Sequence, residues 1–246
     1  MLTKKETVKA KVAIKTFKPN HKVGFELELY IHSSVYSQFL KDIREVYPGS
    51  GTGNQRLSVV GDGSLNYHPG YNSIEIRTPP LNAETAFLRY DELLAIVTNY
   101  DQAGFIKTDA QCGLHVNISE SKIFQNPDNA YNFTHKFIKY FDPIKWRKKF
   151  DRSSNQYCRF SARQLKQLRK TRNINFVGTQ LSNHYSAINT ENIHEYTNPK
   201  YRRLEIRSAG NTGYYANSGR MQNFLEDVND AMNKASHASA KALKLV

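Results

Sequence analysis

The stretch VGFELELYI, from Val23 to Ile31, alternates cleanly between apolar and polar side chains. The apolar positions are Phe25, Leu27 and Leu29, and the polar positions between them are Glu26, Glu28 and Tyr30. Successive side chains of a β-strand point to opposite faces, so residues i and i+2 share a face at a spacing of about 7 Å. The stretch therefore predicts a strand with one apolar face and one face that carries Glu26 and Glu28 together.

Three further predicted strands show the same division into an apolar and a polar face. Their polar positions are Glu75 and Arg77, then His115, Asn117 and Ser119, then Arg203, Glu205 and Arg207. Any half-exposed antiparallel sheet alternates, so a single such strand says little about function. A solvated strand face, however, is usually a mixture in which β-branched residues are common. Acids, arginines, a histidine and an asparagine with almost no threonine indicate a functional face instead.

The carboxylates on this face are candidate ligands for a metal ion. Two carboxylates on one strand repel each other unless a cation offsets the repulsion. Carboxylate oxygens suit Mg²⁺ or Mn²⁺, which also bind phosphates. Arg207, two residues after Glu205, offers a planar guanidinium that suits a phosphate. The combination is typical of a polyphosphate held by metal and arginine for phosphoryl transfer. The sequence contains no GxxxxGK[ST] motif, which excludes a P-loop.

The order of predicted elements favours an α+β fold. Further strands are predicted at Leu57–Val60, Ser73–Thr78, Gly113–Ser119, Tyr185–Asn189 and Arg202–Arg207. Helices are predicted from a cap at Ser33 or Ser34 to Pro48, from Asn82 to Gly104, from Pro127 to Phe141, over 161–172 and over 218–235. Since the helices lack the one-per-strand rhythm of a doubly wound sheet, we expect a curved, largely antiparallel sheet with helices on one face.

The composition predicts a basic, cytoplasmic protein. The chain has 246 residues and a net charge of +13, from 35 Lys and Arg against 22 Asp and Glu. The densest basic region is 145–172, which is either a solvated helix face or a docking surface for a polyanion such as nucleic acid. The sequence has no secretory signal and no run of about 18 apolar residues. Its two cysteines, Cys112 and Cys158, do not make a disulfide framework.

Several motifs in order carry a resemblance to a known family. They are GFELE at Gly24–Glu28, DGSL at Asp62–Leu65, IEIRTPPL at Ile74–Leu81, CGLHVN at Cys112–Asn117 and LEIR at Leu204–Arg207. This series resembles the amidoligase family, relatives of glutamine synthetase and glutamate–cysteine ligase, over residues 22–215. The pair Tyr157-Cys158 after Arg152 and the segment Tyr185–Asn189 also resemble family positions. We expect one catalytic domain over 1–246, with 1–20 an N-terminal extension and 216–246 a C-terminal helix.

The resemblance implies a glutamine-synthetase-like fold, in which the curved antiparallel sheet forms a catalytic funnel with helices on its outer face. It implies a ligase dependent on ATP and Mg²⁺ (or Mn²⁺) that joins a carboxylate to an amine through an acyl phosphate. The metal ligands would be Glu26, Glu28, Glu75 and Glu205. The catalytic residues would be Arg207, His115 and Asp62, and the cofactor-binding residues would be Arg77, Arg203 and Asn117.

Some of these implied roles stay open. Asp62 would bind metal indirectly or deprotonate the amine, and His115 would contact substrate or phosphate. Arg77 and Asn117 depart from the residues usual in the family; Arg77 would contact substrate or pair with Glu75. The carboxylate and amine could be carried on a peptide, a polyamine or another macromolecule. Two other functions fit the same sequence: a nucleic-acid- or polyanion-binding protein that has lost or altered catalysis, and a phosphotransferase.

Overall fold

The computed structural model describes residues 21–48, 56–120, 122–194, 196–216 and 218–242. The predicted extension over 1–20 lies outside these residues. They form the strands β1 (His21–His32), β2 (Ser58–Gly61), β3 (Tyr71–Arg77), β4 (Leu81–Asn82), β5 (Ile106–Lys107), β6 (Gly113–Glu120), β7 (Ile188–Asn189) and β8 (Leu204–Gly210). They form the helices α1 (Tyr36–Val46), α2 (Ala83–Gln102), α3 (Pro127–Tyr140), α4 (Pro143–Lys149), α5 (Ala162–Lys170), α6 (Ile174–Leu181) and α7 (Ser218–Ala242).

The strands join in one open sheet with the order β2-β3-β1-β6-β8-β7, and the short strands β4 and β5 also pair with β1. Every pairing of these strands is antiparallel. The prediction of an α+β fold with a largely antiparallel sheet is therefore confirmed. The long strand β1 lies at the centre, between β3 and β6, so its side chains face neighbours on both sides.

The apolar face of the sheet forms the core with the helices. Phe25 contacts two rings of α2, with its ring centroid 5.7 Å from that of Phe87 and 4.3 Å from that of Tyr90. At the start of the same strand, His21 lies 5.6 Å from Phe133 of α3. The last helix buries one apolar stripe against this core: Met221, Leu225, Val228 and Met232. Removing these side chains from water is the main contribution to the stability of the fold.

Local capping signals place several helix ends where the sequence predicts them. The Asn82 side chain accepts a hydrogen bond from the Thr85 N–H and caps α2. Gly104, with a φ of +77°, follows the end of that helix in a conformation that favours glycine. Pro127 opens α3 as its first residue. Because these signals lie within a few residues of each helix end, sequence alone is enough to predict them.

Other boundaries differ from the prediction. The strand predicted over Tyr185–Asn189 shortens to Ile188–Asn189, because the Tyr185 N–H bonds to the Asn183 side chain in a turn. A 3-10 turn precedes α1, and the side chain of His32, not of either predicted serine, accepts a hydrogen bond at its start. Strand β8 begins at Leu204 and runs on to Gly210. Helices α4 and α6 were not predicted, and α7 extends beyond residue 235.

The basic region 145–172 is only in part a solvated helix face. Arg147 is buried and donates hydrogen bonds to the carbonyl oxygens of Phe160, Arg152 and Ser153. Arg152 is 2 % exposed. Arg169 donates to the carbonyl oxygens of Ile138 and Phe141, at the end of α3. The basic side chains that remain exposed within 161–172 are Arg163, Lys166, Lys170 and Arg172.

None of the helices within the described residues is long and apolar enough to cross a membrane.

Candidate active site

The polar positions of four adjacent strands meet on one face of the sheet. In the register of the sheet, Glu26 of β1 lies opposite His115 of β6, and Glu28 lies opposite Glu75 of β3. Across the next pair, Asn117 of β6 lies opposite Glu205 of β8. Directly opposed residues of antiparallel strands have Cβ atoms about 5 Å apart. The alternation in each strand therefore produces one continuous polar patch.

His115 lies at the centre of this patch. Its Nδ1 atom is 3.2 Å from Glu26 Oε2 and 3.2 Å from Glu205 Oε1, and its Nε2 atom is 3.5 Å from Glu28 Oε1. The side chain is only 3 % exposed. One buried imidazole thus contacts carboxylates from two strands, which repel one another and attract a cation.

Neighbouring amides hold two of these carboxylates in place. The Nδ2 atom of Asn117 donates a 3.0 Å hydrogen bond to Glu26 Oε1, and the Nε atom of Arg203 donates a 2.8 Å bond to Asn117 Oδ1. On the other side, Asn189 Nδ2 donates a 2.7 Å bond to Glu205 Oε2. Donors that are themselves fixed by the sheet limit the rotamers of the carboxylates they contact.

Arg207 reaches the same group through a β-bulge. The pairing of β6 with β8 shifts between Leu114 and Val116, so that His115 lies opposite both Arg207 and Ser208. A bulge re-aims side chains and is common beside active sites. The Arg207 Nη1 atom donates a 3.0 Å hydrogen bond to Glu205 Oε1, while the side chain is almost fully buried.

The pKa values of Glu26 and His115 follow from their contact. Burial alone would raise the pKa of Glu26, but the hydrogen bond and charge of His115, with the charge of Arg203, hold it at about 2. Burial and Arg207 would lower the pKa of His115, but Glu28, Glu26 and Glu205 raise it above its ordinary value. The carboxylates around His115 therefore favour its protonated form, and His115 in turn favours the ionised form of Glu26.

Glu75, next to Glu26, forms a pair with Arg77. The Nε atom of Arg77 donates a 2.8 Å hydrogen bond to Glu75 Oε2, and the Nη2 atom contacts the same oxygen. Burial, aided by the charge of Glu26, outweighs Arg77 and raises the pKa of Glu75 to about 7. Of the two sequence-based alternatives for Arg77, pairing with Glu75 is thus observed, and its half-exposed side chain also faces the cavity described below.

Asp62 follows β2 in a turn that the sheet and a buried tyrosine hold in place. Its Oδ1 atom accepts hydrogen bonds from the Ser64 N–H and hydroxyl, at 2.9 and 2.6 Å. Further along the same loop, the Asn66 N–H donates to the hydroxyl of Tyr30, which in turn donates to Asp109 Oδ2 at 2.9 Å. Tyr30 is fully buried on β1, so the loop is anchored to the central strand.

A cavity of about 750 Å³ opens over this face. Every site residue predicted from the sequence lines it: Glu26, Glu28, Asp62, Glu75, Arg77, His115, Asn117, Arg203, Glu205 and Arg207. The structure thus brings the predicted residues together, while their individual roles stay predictions. The lining continues on the β2 side with Arg56, Ser58 and Ser64, on the β7 side with Tyr157, His184, Tyr185, Glu191 and Asn192, and before β8 with Tyr201.

Part of this lining fits a divalent metal ion. One ligand atom from each of Glu26, His115 and Glu205 can be chosen so that all lie within 4.8 Å of one another. Two carboxylates and one imidazole form a donor set that suits Mn²⁺, and Mg²⁺ with added water ligands. This compact group differs from the predicted set of four glutamates, because it includes His115 and leaves Glu28 and Glu75 beside it.

The sequence profile of a family described as "Putative amidoligase enzyme" matches residues 19–214. The chain belongs to this amidoligase family. The match covers every strand described above, from β1 to β8, and ends before α7. No curated protein matches the sequence. The resemblance seen in the five motifs is therefore confirmed at the level of the family.

Sequence reasoning missed two residues of this amidoligase site. Asn189, which bonds Glu205, lies within a segment that resembles the family but carries no charge to mark it. Arg152 is buried beside Glu28: a Cβ atom on Gly113 would lie 2.8 Å from Arg152 Nη1 and 3.2 Å from Glu28 Oε2. Gly113 pairs with Gly210 in the sheet, and the two glycines leave the notch that Arg152 fills. The two glycines meet only when β6 pairs with β8, so the sequence alone carries no signal for this notch.

Proposed function

We propose that this amidoligase uses ATP and Mg²⁺ or Mn²⁺ to join a carboxylate to an amine through an acyl phosphate. The observation that carries the proposal is the buried group of Glu26, His115 and Glu205 next to Arg207, inside a cavity large enough for substrates. Membership in the amidoligase family supports the class of reaction. A glutamine-synthetase-like funnel belongs to the same proposal, and the open antiparallel sheet with its polar face supports it.

Glu26, His115 and Glu205 would hold the metal ion, with Glu28 and Glu75 next to them. When bound, the ion supplies positive charge that neutralises phosphate oxygens during transfer. Asn117 and Asn189 keep Glu26 and Glu205 in the orientation that binding requires. Because these donors are fixed before a ligand arrives, little reorganisation is needed in the reaction.

Arg207 would stabilise the phosphoryl group during transfer. Its Nη1 atom is bonded to Glu205, whereas its Nε atom has no hydrogen-bond partner among the described residues. A buried guanidinium with a remaining donor suits an oxygen that becomes more negative in the transition state. The substrate carboxylate oxygen attacks the γ-phosphorus, and ADP leaves.

In the second step, the amine nitrogen attacks the acyl carbon, phosphate leaves with the electrons of the broken C–O bond, and the nitrogen loses a proton. Asp62 lines the cavity and is the acceptor implied by the resemblance. Glu75 is the alternative acceptor, because a pKa of about 7 is closer to neutral pH than that of an ordinary carboxylate.

The test is release of ADP and phosphate by the purified protein with Mg²⁺ or Mn²⁺ and panels of carboxylates and amines. We expect release to require both substrates and Glu205→Gln to reduce kcat by about 100-fold or more, as for loss of a transition-state contact. Glu45→Gln, on the exposed surface of α1, is the matched control. Release that needs no amine would indicate a phosphotransferase, and equal rates for the two variants would contradict the proposal.

A polyanionic partner is a second candidate for the region 145–172. The exposed basic side chains around α5 favour it, although Arg147 and Arg152 are unavailable because they are buried. Substituting Arg163, Lys166 and Lys170 together by glutamine should weaken nucleic-acid binding and flatten its dependence on salt. Binding that does not change with salt would rule this candidate out.

A further inference from the structure

The two sides of the cavity differ in chemistry. At the β2 edge of the sheet the lining residues are polar or charged, including Arg56, Ser58 and Arg77. Next to β7 the lining includes three rings in contact, which we call the aromatic wall: Tyr157, His184 and Tyr185. Because β2 and β7 end the strand order, the carboxylates of the central strands lie between these two sides. The asymmetry indicates that the two sides bind different chemical groups.

Tyr185 lies at the centre of the aromatic wall. Its ring centroid is 6.0 Å from that of Tyr157 and 5.4 Å from that of His184, and 48 % of the residue is exposed. Its backbone is fixed on both sides: its N–H bonds to the Asn183 side chain, and its carbonyl oxygen accepts from the Arg159 N–H. A large aromatic surface is thus held open toward the cavity by a rigid turn, with little rotamer entropy to lose on binding.

An exposed ring in this position suits a flat, π-rich ligand. Aromatic side chains stack with planar rings in offset or edge-to-face arrangements, and stacking on a nucleobase tolerates any base. Glu191 and Asn192 also line the cavity here and offer an acceptor and an amide for the edge of such a ring.

The chain connects this wall directly to the candidate metal ligands. Asn189, four positions after Tyr185, donates the hydrogen bond that orients Glu205. Four residues of extended chain span at most about 14 Å. A ring on Tyr185 and a phosphate beside Glu205 are therefore close enough to belong to one nucleotide.

We infer that the aromatic wall, centred on Tyr185, is the site at which this protein stacks the adenine base of ATP. The inference rests on the proposed function, since it takes the triphosphate to bind at the carboxylate group. It assigns one end of the cavity to the nucleotide and leaves the β2 side, with Arg56 and Arg77, for the other substrates.

The experiment compares a ligand that carries adenosine, Mg·ATP, with one that lacks it, Mg·tripolyphosphate, by calorimetric titration of the full chain. Tyr185→Ala should weaken Mg·ATP binding roughly tenfold or more, as expected for loss of one stacked base, and leave Mg·tripolyphosphate binding within about twofold. Tyr185→Phe keeps the ring and should bind Mg·ATP like the wild type. Tyr140→Ala removes a tyrosine that is 50 % exposed on α3, away from the cavity, and should change neither affinity.

The wild-type protein gives a test that needs no variant, because it should bind Mg·ATP at least about tenfold more tightly than Mg·tripolyphosphate. If the wild type binds both ligands equally, or if Tyr185→Ala binds Mg·ATP normally, the inference is wrong while the proposed function stands. If the wild type binds neither ligand, the proposed function fails, and the inference fails with it. If Tyr185→Ala weakens both ligands equally, Tyr185 has a structural role and does not stack the base.

Discussion

The two faces of the central sheet both bury side chains, but by different means. On one face, Phe25 and Leu27 are at most 1 % exposed because helices cover them. On the other face, Glu28, His115 and Glu205 are at most 7 % exposed, and charged neighbours cover them. Burial of apolar surface is favourable by itself, whereas a buried charge costs free energy unless it is paired. The apolar face therefore supplies stability. The polar face carries buried charges, and the stability from the apolar face must offset the free-energy cost of burying them.

The balance on the polar face involves both signs of charge. Three carboxylates contact His115, and Arg207 contacts Glu205. Buried ion pairs of this kind are often no more stabilising than apolar residues of the same volume. These buried charges lie on strands whose other face is fully apolar. Since they add little stability, their presence indicates that the polar face binds a ligand. Substitutions on the two faces should consequently separate stability from activity.

The largest expected effect on stability is that of Leu27→Ala, on the apolar face. Truncation of a fully buried leucine removes apolar burial and leaves a cavity, so the free energy of unfolding should fall by about 2–5 kcal/mol. Urea unfolding followed by circular dichroism measures the loss. Glu28→Gln, one residue along β1 and on the other face, preserves the side-chain volume. Its lost attraction to His115 is offset by the relieved repulsion from Glu26 and Glu205, so stability should change by about 1 kcal/mol or less. An equal loss in the two variants would remove the distinction between the faces.

The division of the sheet into two faces was predictable from the sequence, because it depends only on the alternation of neighbouring residues. The same alternation, with the motifs, identified the residues that line the cavity, from Glu26 to Arg207. Helix ends that have a local sequence signal, such as the Asn82 cap, could be predicted equally well. In each of these cases the determining interaction lies within a few residues of the position predicted.

What sequence reasoning missed depends on contacts between distant parts of the chain. The bulge opposite His115 exists only once β8 pairs with β6, and nothing in either strand alone marks it. Arg152 and Arg163 look alike in a basic segment, yet one is buried against the Ala209 carbonyl and the other is exposed. The environment of an arginine depends on which carbonyl oxygens the fold brings near it. A local pattern does not contain that information.

A smaller effect is expected from Gly113→Ala, which tests how tightly the polar face is packed. The added methyl group would lie 2.8 Å from Arg152 Nη1, so the guanidinium must shift. We expect a loss of about 1–3 kcal/mol in the free energy of unfolding, typical of overpacking. Gly61→Ala is the control, since nothing lies within 4 Å of a Cβ atom at that position.

A double-mutant cycle identifies the cause of the Gly113→Ala effect. If the methyl group acts through the guanidinium, Gly113→Ala should cost at least about 1 kcal/mol less in an Arg152→Ala background than in the wild type. The four proteins are compared by urea unfolding under the same conditions. Additive losses would show that Arg152 does not fill the notch and that the polar face tolerates more volume than the structure indicates.

The smallest expected effect is the dependence of stability on pH that Glu75 confers. Burial raises the pKa of Glu75 from 4.5 to about 7, so in this range the folded protein binds a proton that the unfolded chain has released. Stability should therefore fall as the pH rises from about 4.5 to about 7. The glutamine in Glu75→Gln cannot ionise, so the stability of this variant relative to the wild type should increase as the pH rises through this window. We expect an increase of about 1 kcal/mol, because Arg77 and solvent screen part of the charge of Glu75.

Urea unfolding at several pH values between 4 and 8, with EDTA present to remove metal, measures this difference. His115 also has a raised pKa, so both proteins should lose stability above its ordinary value of 6.5. Comparing the two proteins cancels that shared contribution and isolates Glu75. A constant difference across the window would mean that Arg77 neutralises Glu75 completely. In that case the β3 part of the polar face would be balanced before any ligand binds, and only the group around His115 would still require a cation.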